Sequence, residues 1–115
     1  AFSRLKASAW NYERNLSNLK KGSLSVKKKA EINNILKNVD QAMVSEGGLP
    51  RRDWFKNMIY APGFYTGYGV KTLPGIREGL EQRNWNEVDT YIQEVAKTLD
   101  RVASKINSAS KILKK

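Results

Sequence analysis

From Val88 to Leu113 an apolar residue returns every third or fourth position: Val88, Ile92, Val95, Leu99, Val102, Ile106, Ala109 and Leu113. At 3.6 residues per turn this spacing draws one unbroken stripe along a single helix of roughly seven turns. Asn86, a residue type that accepts hydrogen bonds from free N–H groups, reads as its N-cap. Such a stripe is stable in water only if other helices cover it, so most of the remaining chain must supply matching faces. Two stretches do. Phe2, Leu5, Ala9, Tyr12, Leu16 and Leu19 step by three and four until Gly22 and Ser23. Ile32, Ile35, Leu36, Val39 and Met43 do the same, with Ser23 or Ser25 as cap and Gly47-Gly48 as the stop. Pro74 suits the first turn of a short helix reaching Gln82, with Thr72 as a candidate cap. The reading is one all-α domain over residues 1–115, an antiparallel four-helix bundle of three long helices and one short one.

The stretch from Leu49 to Leu73 breaks this pattern. In IYAPGFYTGYGVKTLPGI, residues 59–76, Tyr60, Phe64, Tyr65 and Tyr68 crowd among glycines and prolines. Pattern alone predicts irregular structure here, with a short extended piece around Asn57 to Tyr60. A structureless loop of this length inside a compact domain is either functional or a sign of a misassigned element. Its rings offer large apolar faces with polar edges, suited to packing against the bundle, a second subunit or a neighbouring domain.

Composition narrows the chemistry. The chain of 115 residues has no cysteine and no histidine, and only 11 acidic residues. That removes disulfides, thiolate nucleophiles, the commonest metal ligand and the usual general base. On its own this chain is therefore not read as an enzyme. No apolar run approaches the ~20 residues that span a bilayer. The formal charge of +10, from 21 Lys and Arg, gathers at element ends: Lys20, Lys21 and Lys27 to Lys29 near the first turn, and Lys111, Lys114 and Lys115 at the far end. It is either a solvated surface or a patch for nucleic acid or anionic lipid, the latter a basic helical module with no helix-turn-helix spacing or zinc knuckle to support it. The chain opens on Ala1, already in helical phase, and is expected to be a piece of something longer.

GLPRRDWFKNMIYAP, residues 48–62, followed by Tyr68 and by LPGI at 73–76, resembles the C-terminal helical domain of the transferrin receptor and glutamate carboxypeptidase II family. Trp85, Glu87 and Val88 resemble that family's entry into its last long helix, and the likeness extends over essentially the whole chain. The resemblance implies a four-helix dimerisation domain that pairs as a homodimer and follows a peptidase domain carrying two zinc ions and the catalytic carboxylate. It implies a parent acting on peptides outside the cytoplasm. In glutamate carboxypeptidase II the loop after IYAP reaches the active site, where a Lys-Tyr pair holds the carboxylate of a C-terminal glutamate. The Tyr falls on Tyr68; the Lys falls on Gly67, which puts glutamate specificity in question. Lys71, three residues on, is a second candidate for the same carboxylate. Tyr60, Ala61, Pro62, Pro74 and Gly75 complete the loop motif. Trp10 and Trp54 are candidates for a pairing surface.

Overall fold

The computed structural model describes residues 1–19, 24–64 and 69–114. In chain order the elements are α1 (Phe2–Ser17), α2 (Val26–Lys37), α3 (Val39–Ala42), β1 (Tyr60–Pro62), β2 (Val70–Thr72), α4 (Pro74–Glu81) and α5 (Trp85–Lys114). They form two compact units, residues 1–42 with 99–115, and residues 43–98. The fold is mainly helical, as expected, with a small sheet added.

In the first unit Ile32 of α2 packs with Ala109 and Leu113 of α5, and Tyr12, Leu19, Leu24, Ile35 and Ile112 close around them. Arg4 meets Asp100 near the start of this stretch of α5, while Tyr12 and Leu19 pack farther along it. The helices α1 and α5 therefore run in the same direction. Arg101 Nε donates to Ala42 O at 3.1 Å, so α2 and α3 travel the opposite way. Ser25 caps α2, its side chain accepting from Lys28 N.

The α1 stripe is shallower than its spacing predicts. Leu5, Ala9, Tyr12 and Leu19 are half-buried, the one buried position of α1 is Ser8, and Phe2 and Leu16 remain 69% and 50% exposed. Leu36 and Ile92 also lie on exposed flanks of their stripes. The expected second helix stops early. Asn38 Nδ2 donates to Asn34 O at 2.8 Å, a side-chain competitor for the helical backbone, and only the single turn of α3 follows. Beyond it the chain is drawn out of helix by pairing: Val44 bridges Asn57, Ser45 N donates to Lys56 O, and Met58 N donates to Met43 O.

The second unit buries Leu49, Met58, Ala61, Val88 and Val95. Strands β1 and β2 pair antiparallel, Tyr60 with Thr72, Ala61 with Lys71 and Pro62 with Val70. The extended structure thus starts later than the expected Asn57–Tyr60 piece and includes a second strand, because Gly63 N to Gly69 O and Leu73 N to Ile59 O extend the ladder at both ends. Thr72 does not cap α4; Leu73 occupies the N-cap position without a side-chain cap bond, in a left-handed conformation (φ 48°) that turns β2 directly into the helix.

Helix α4 passes into α5 through a joint of three residues, Gln82, Arg83 and Asn84. Arg83 (φ 56°) sits in the left-handed region, with its N–H on Leu80 O and the Asn84 N–H on Gly79 O, the paired bonds that close a Schellman motif. Asn84 then caps α5: its Oδ1 accepts from Glu87 N and its Nδ2 donates to Glu87 Oε2 at 2.8 Å. The expected cap, Asn86, lies inside the first turn instead, because α5 begins at Trp85.

Candidate functional site

The described ends of the aromatic stretch, residues 59–64 and 69–76, rest on a base built by three segments of the second unit. The turn 48–57 comes first. Gly48 (φ 68°) lies so close to the Asp53 backbone that a Cβ would collide with it, and Leu49 N bonds Phe55 O. This close turn directs Arg52 inward. Its guanidinium, 3% exposed, meets Glu78 of α4, 1% exposed, at 2.8 Å. Arg52 also donates to Pro50 O and Pro62 O at 3.1 and 3.4 Å. Glu78 Oε1 accepts a second bond, from Phe64 N at 2.9 Å.

One buried ion pair thus ties the turn, the end of β1 and the entry to the aromatic segment to α4. Shared between two donors, the carboxylate is stabilised where an isolated charge would be costly. Arg52 Nε and Glu78 Oε2 are buried without a hydrogen-bond partner among the described residues. The guanidinium carbons of Arg51 and Arg52 stand 5.5 and 5.6 Å from the Phe64 ring centroid, in cation–π range.

The return strand is tied to the same helix one turn later. Lys71 Nζ lies 2.6 Å from Glu81 Oε2, with the lysine side chain 15% exposed. That hydrogen bond with Lys71 holds the Glu81 carboxyl below its ordinary range. Helix α4 itself is anchored on α5. Gly75 lies against the Tyr91 ring and leaves no room for a Cβ, while the Tyr91 hydroxyl donates to Gly48 O at 3.0 Å. Burial, helped by Glu87 and Glu94, pushes the Tyr91 phenol up.

Of the residues singled out from sequence, Tyr60 projects from β1, half exposed, while Ala61 is buried behind it. Pro62 ends the strand under the Arg52 guanidinium, and Pro74 and Gly75 are buried at the start of α4. Lys71 is engaged with Glu81. Tyr68, with Tyr65 and Gly67, lies outside the described residues. Trp54, Tyr60, Phe64 and Val70 leave an exposed apolar set around the base, and Trp54 adjoins Phe55 at 6.2 Å between rings. The Arg52–Glu78 pair was not anticipated. Its signal is a charged residue on the inner stripe of α4, at the positions Pro74, Gly75, Glu78 and Gly79; a stripe made of proline and glycine does not look apolar.

What these elements define is a mainly helical domain carrying a small hairpin braced against α4. Among the described residues no group of three His, Cys, Asp or Glu is placed to hold a metal ion, and no described helix is long and apolar enough to cross a membrane. The chain belongs to the transferrin receptor-like dimerisation domain family, whose model matches residues 1–114. It is 35% identical over 77 residues to a probable glutamate carboxypeptidase of Arthroderma benhamiae, covering 67% of this chain and 11% of that protein. A probable glutamate carboxypeptidase of Arabidopsis thaliana is 32% identical over 94 residues, 82% of this chain and 13% of the relative. An inactive zinc metalloprotease of Schizosaccharomyces pombe is 28% identical over 90 residues, 76% and 11% of the two chains. The chain therefore spans only about an eighth or less of these relatives' length.

Proposed function

We propose that this chain is the dimerisation domain of a glutamate carboxypeptidase-like zinc exopeptidase that works as a homodimer outside the cytoplasm, and that its 59–76 segment completes the substrate pocket of the adjacent peptidase domain. The observation that carries the reading is the brace: Arg52–Glu78 and Lys71–Glu81 fasten both strands of the hairpin to α4 while Tyr60, Phe64 and Val70 stay at the surface. A segment that must meet another domain in a fixed pose gains from such preorganisation. Zinc and the catalytic carboxylate belong to the peptidase domain of the parent; the donor set of this chain does not suit a zinc site, and no step is assigned to it. This chain offers recognition: the Tyr68 hydroxyl donating to a substrate carboxylate, with Lys71 as the nearby cation. Because Lys71 is held by Glu81, a substrate carboxylate would have to compete with that carboxylate for it. The reading places no requirement for glutamate on the substrate, since Gly67 offers no side-chain cation.

The test is steady-state kinetics of the full-length parent. Removing one hydrogen bond to a charged group costs about 1.5–3 kcal/mol, so Tyr68→Phe should lower kcat/KM by roughly ten- to a hundredfold on peptides with a free C-terminal carboxylate. Peptides with an amidated C-terminus should be cleaved equally by both proteins. An equal effect on both substrate types, or none on either, removes Tyr68 from the pocket.

A further inference from the structure

Charge is shared unevenly between the two units. Residues 1–42 and 99–115, the first unit, hold 14 Lys and Arg against four Asp and Glu, whereas residues 43–98 hold seven of each. The whole formal charge of +10 therefore falls on the first unit. In the second unit six of the seven cations pair with carboxylates of that same unit, from Arg51–Glu87 to Lys97–Glu94. In the first, Arg4 has Asp100, and none of Lys27, Lys28, Lys29, Lys111 and Lys114 has an ion pair among the described residues. Packing brings these five lysines to one end of the unit. Ile32 of α2 rests on Ala109 and Leu113 of α5, with Leu19 and Leu24 closing around them, so the first turn of α2 lies beside the last turn of α5. Helix α2 offers the lysines one carboxylate, Glu31, and α5 offers none after Asp100. Lys20, Lys21 and Lys115 lie outside the described residues.

Folding accounts for only part of this cluster. Lys111 and Lys114 sit in the last turn of α5, where a cation complements the helix dipole. Lys27, Lys28 and Lys29 fill the opposite kind of place: the first turn of α2, which holds no acidic residue and favours Asp or Glu at the positive end of its dipole. Three cations held where the dipole and one another oppose them call for an anion from outside the unit. Two features select its kind. Val26, beside the lysines, is 84% exposed and Leu16, three residues before the packed Leu19, is 50% exposed; aliphatic side chains among lysines suit the boundary between headgroups and acyl chains. A nucleic acid would instead favour arginine forks or stacking rings. The cations at this end are lysines, and the ring that reaches it, Tyr12, is packed against the core.

We propose that the end of the first unit formed by the start of α2 and the close of α5 docks on an anionic lipid surface. Lys27, Lys28, Lys29, Lys111 and Lys114 meet the phosphate headgroups, and Val26 enters the boundary beneath them. None of these residues is assigned to the substrate pocket, so this inference stands or falls apart from the role of the 59–76 segment.

Vesicle flotation of the full-length parent tests it, with phosphatidylcholine alone set against phosphatidylcholine containing about a third phosphatidylglycerol. Each lysine at an anionic surface strengthens binding about fivefold. Wild type should therefore bind the anionic vesicles at least about a hundredfold more tightly than the neutral ones, a difference that shrinks as salt is added. Lys27→Glu/Lys28→Glu/Lys29→Glu should lose at least about a hundredfold of that affinity while melting no lower than wild type, because glutamate suits the start of a helix. Docking and folding thus respond in opposite directions. Lys111→Gln/Lys114→Gln, on the other helix, should lose roughly 25-fold and decides the matter alone if the triple variant does not fold. Val26→Ser should weaken vesicle binding several-fold. Equal binding to both vesicles overturns the proposal, as does wild-type affinity in either lysine variant. So does tighter binding to a DNA duplex than to anionic vesicles with Val26→Ser neutral toward both, which assigns this end to nucleic acid.

Discussion

Glu78 is fully buried and accepts from two donors, which makes it the most consequential single side chain described. Replacing it by Ala leaves the Arg52 guanidinium buried without a counter-charge, a loss of about 3–5 kcal/mol for pairs of this kind. Glu78→Ala should therefore lower the denaturation midpoint in urea steeply, and a near-wild-type midpoint would contradict the burial of the pair. Gly48 supplies a second test. Its left-handed backbone and the approach of Asp53 exclude a Cβ, so Gly48→Ala should cost more than the roughly 1–2 kcal/mol of backbone strain alone, read by the same denaturation. Neither feature was legible from spacing. Arg52 and Glu78 lie 26 residues apart, and sequence periodicity reports faces of one element, not partners across two.

At the scale of elements, the apolar stripe of α5 was readable because most of its residues, Val88, Val95, Leu99, Val102, Ala109 and Leu113, are buried in the place their spacing assigns. The short helix from Pro74 was equally legible, since proline at the first turn and the Gly75 contact leave little alternative. Element ends were less so. The second helix lost its last turns to the pairing of Met43–Ser45 with Lys56–Met58, a contact between distant residues that no local pattern announces. The hairpin was missed as a pair of strands for the same reason: each strand is three residues long, too short to show alternation. The α4–α5 joint carries its own prediction. Arg83 is exposed and left-handed, a conformation in which a side chain is a burden, so Arg83→Gly should stabilise the protein by about 0.5–1 kcal/mol. A calorimetric melt that moves downward would count against the Schellman geometry.

For the molecule as a whole, carboxylates in both units share one direction of shift. The Arg4 hydrogen bond holds Asp100 below its ordinary 3.8, and lysine partners hold Glu46 and Glu81 below 4.5. Groups depressed in the folded state contribute stability above their unfolded values and lose it as pH falls through the folded ones. Thermal stability should accordingly decline below about pH 4.5, helped by the mounting repulsion of a chain already at +10. Asp100→Asn should flatten that decline, and added salt should weaken the contribution of these exposed pairs. A variant with an unchanged acid slope would show that the Arg4–Asp100 bond does not persist in solution.

The joint at Arg83 and Asn84 has one more consequence. The same Asn84 finishes one helix and begins the next, so no spare residue exists between them to absorb a longer or shorter chain. When related sequences are aligned, gaps should avoid positions 82 to 87. An added residue there would rotate everything after it by about 100° about the axis of α5, turning Tyr91 away from Gly75.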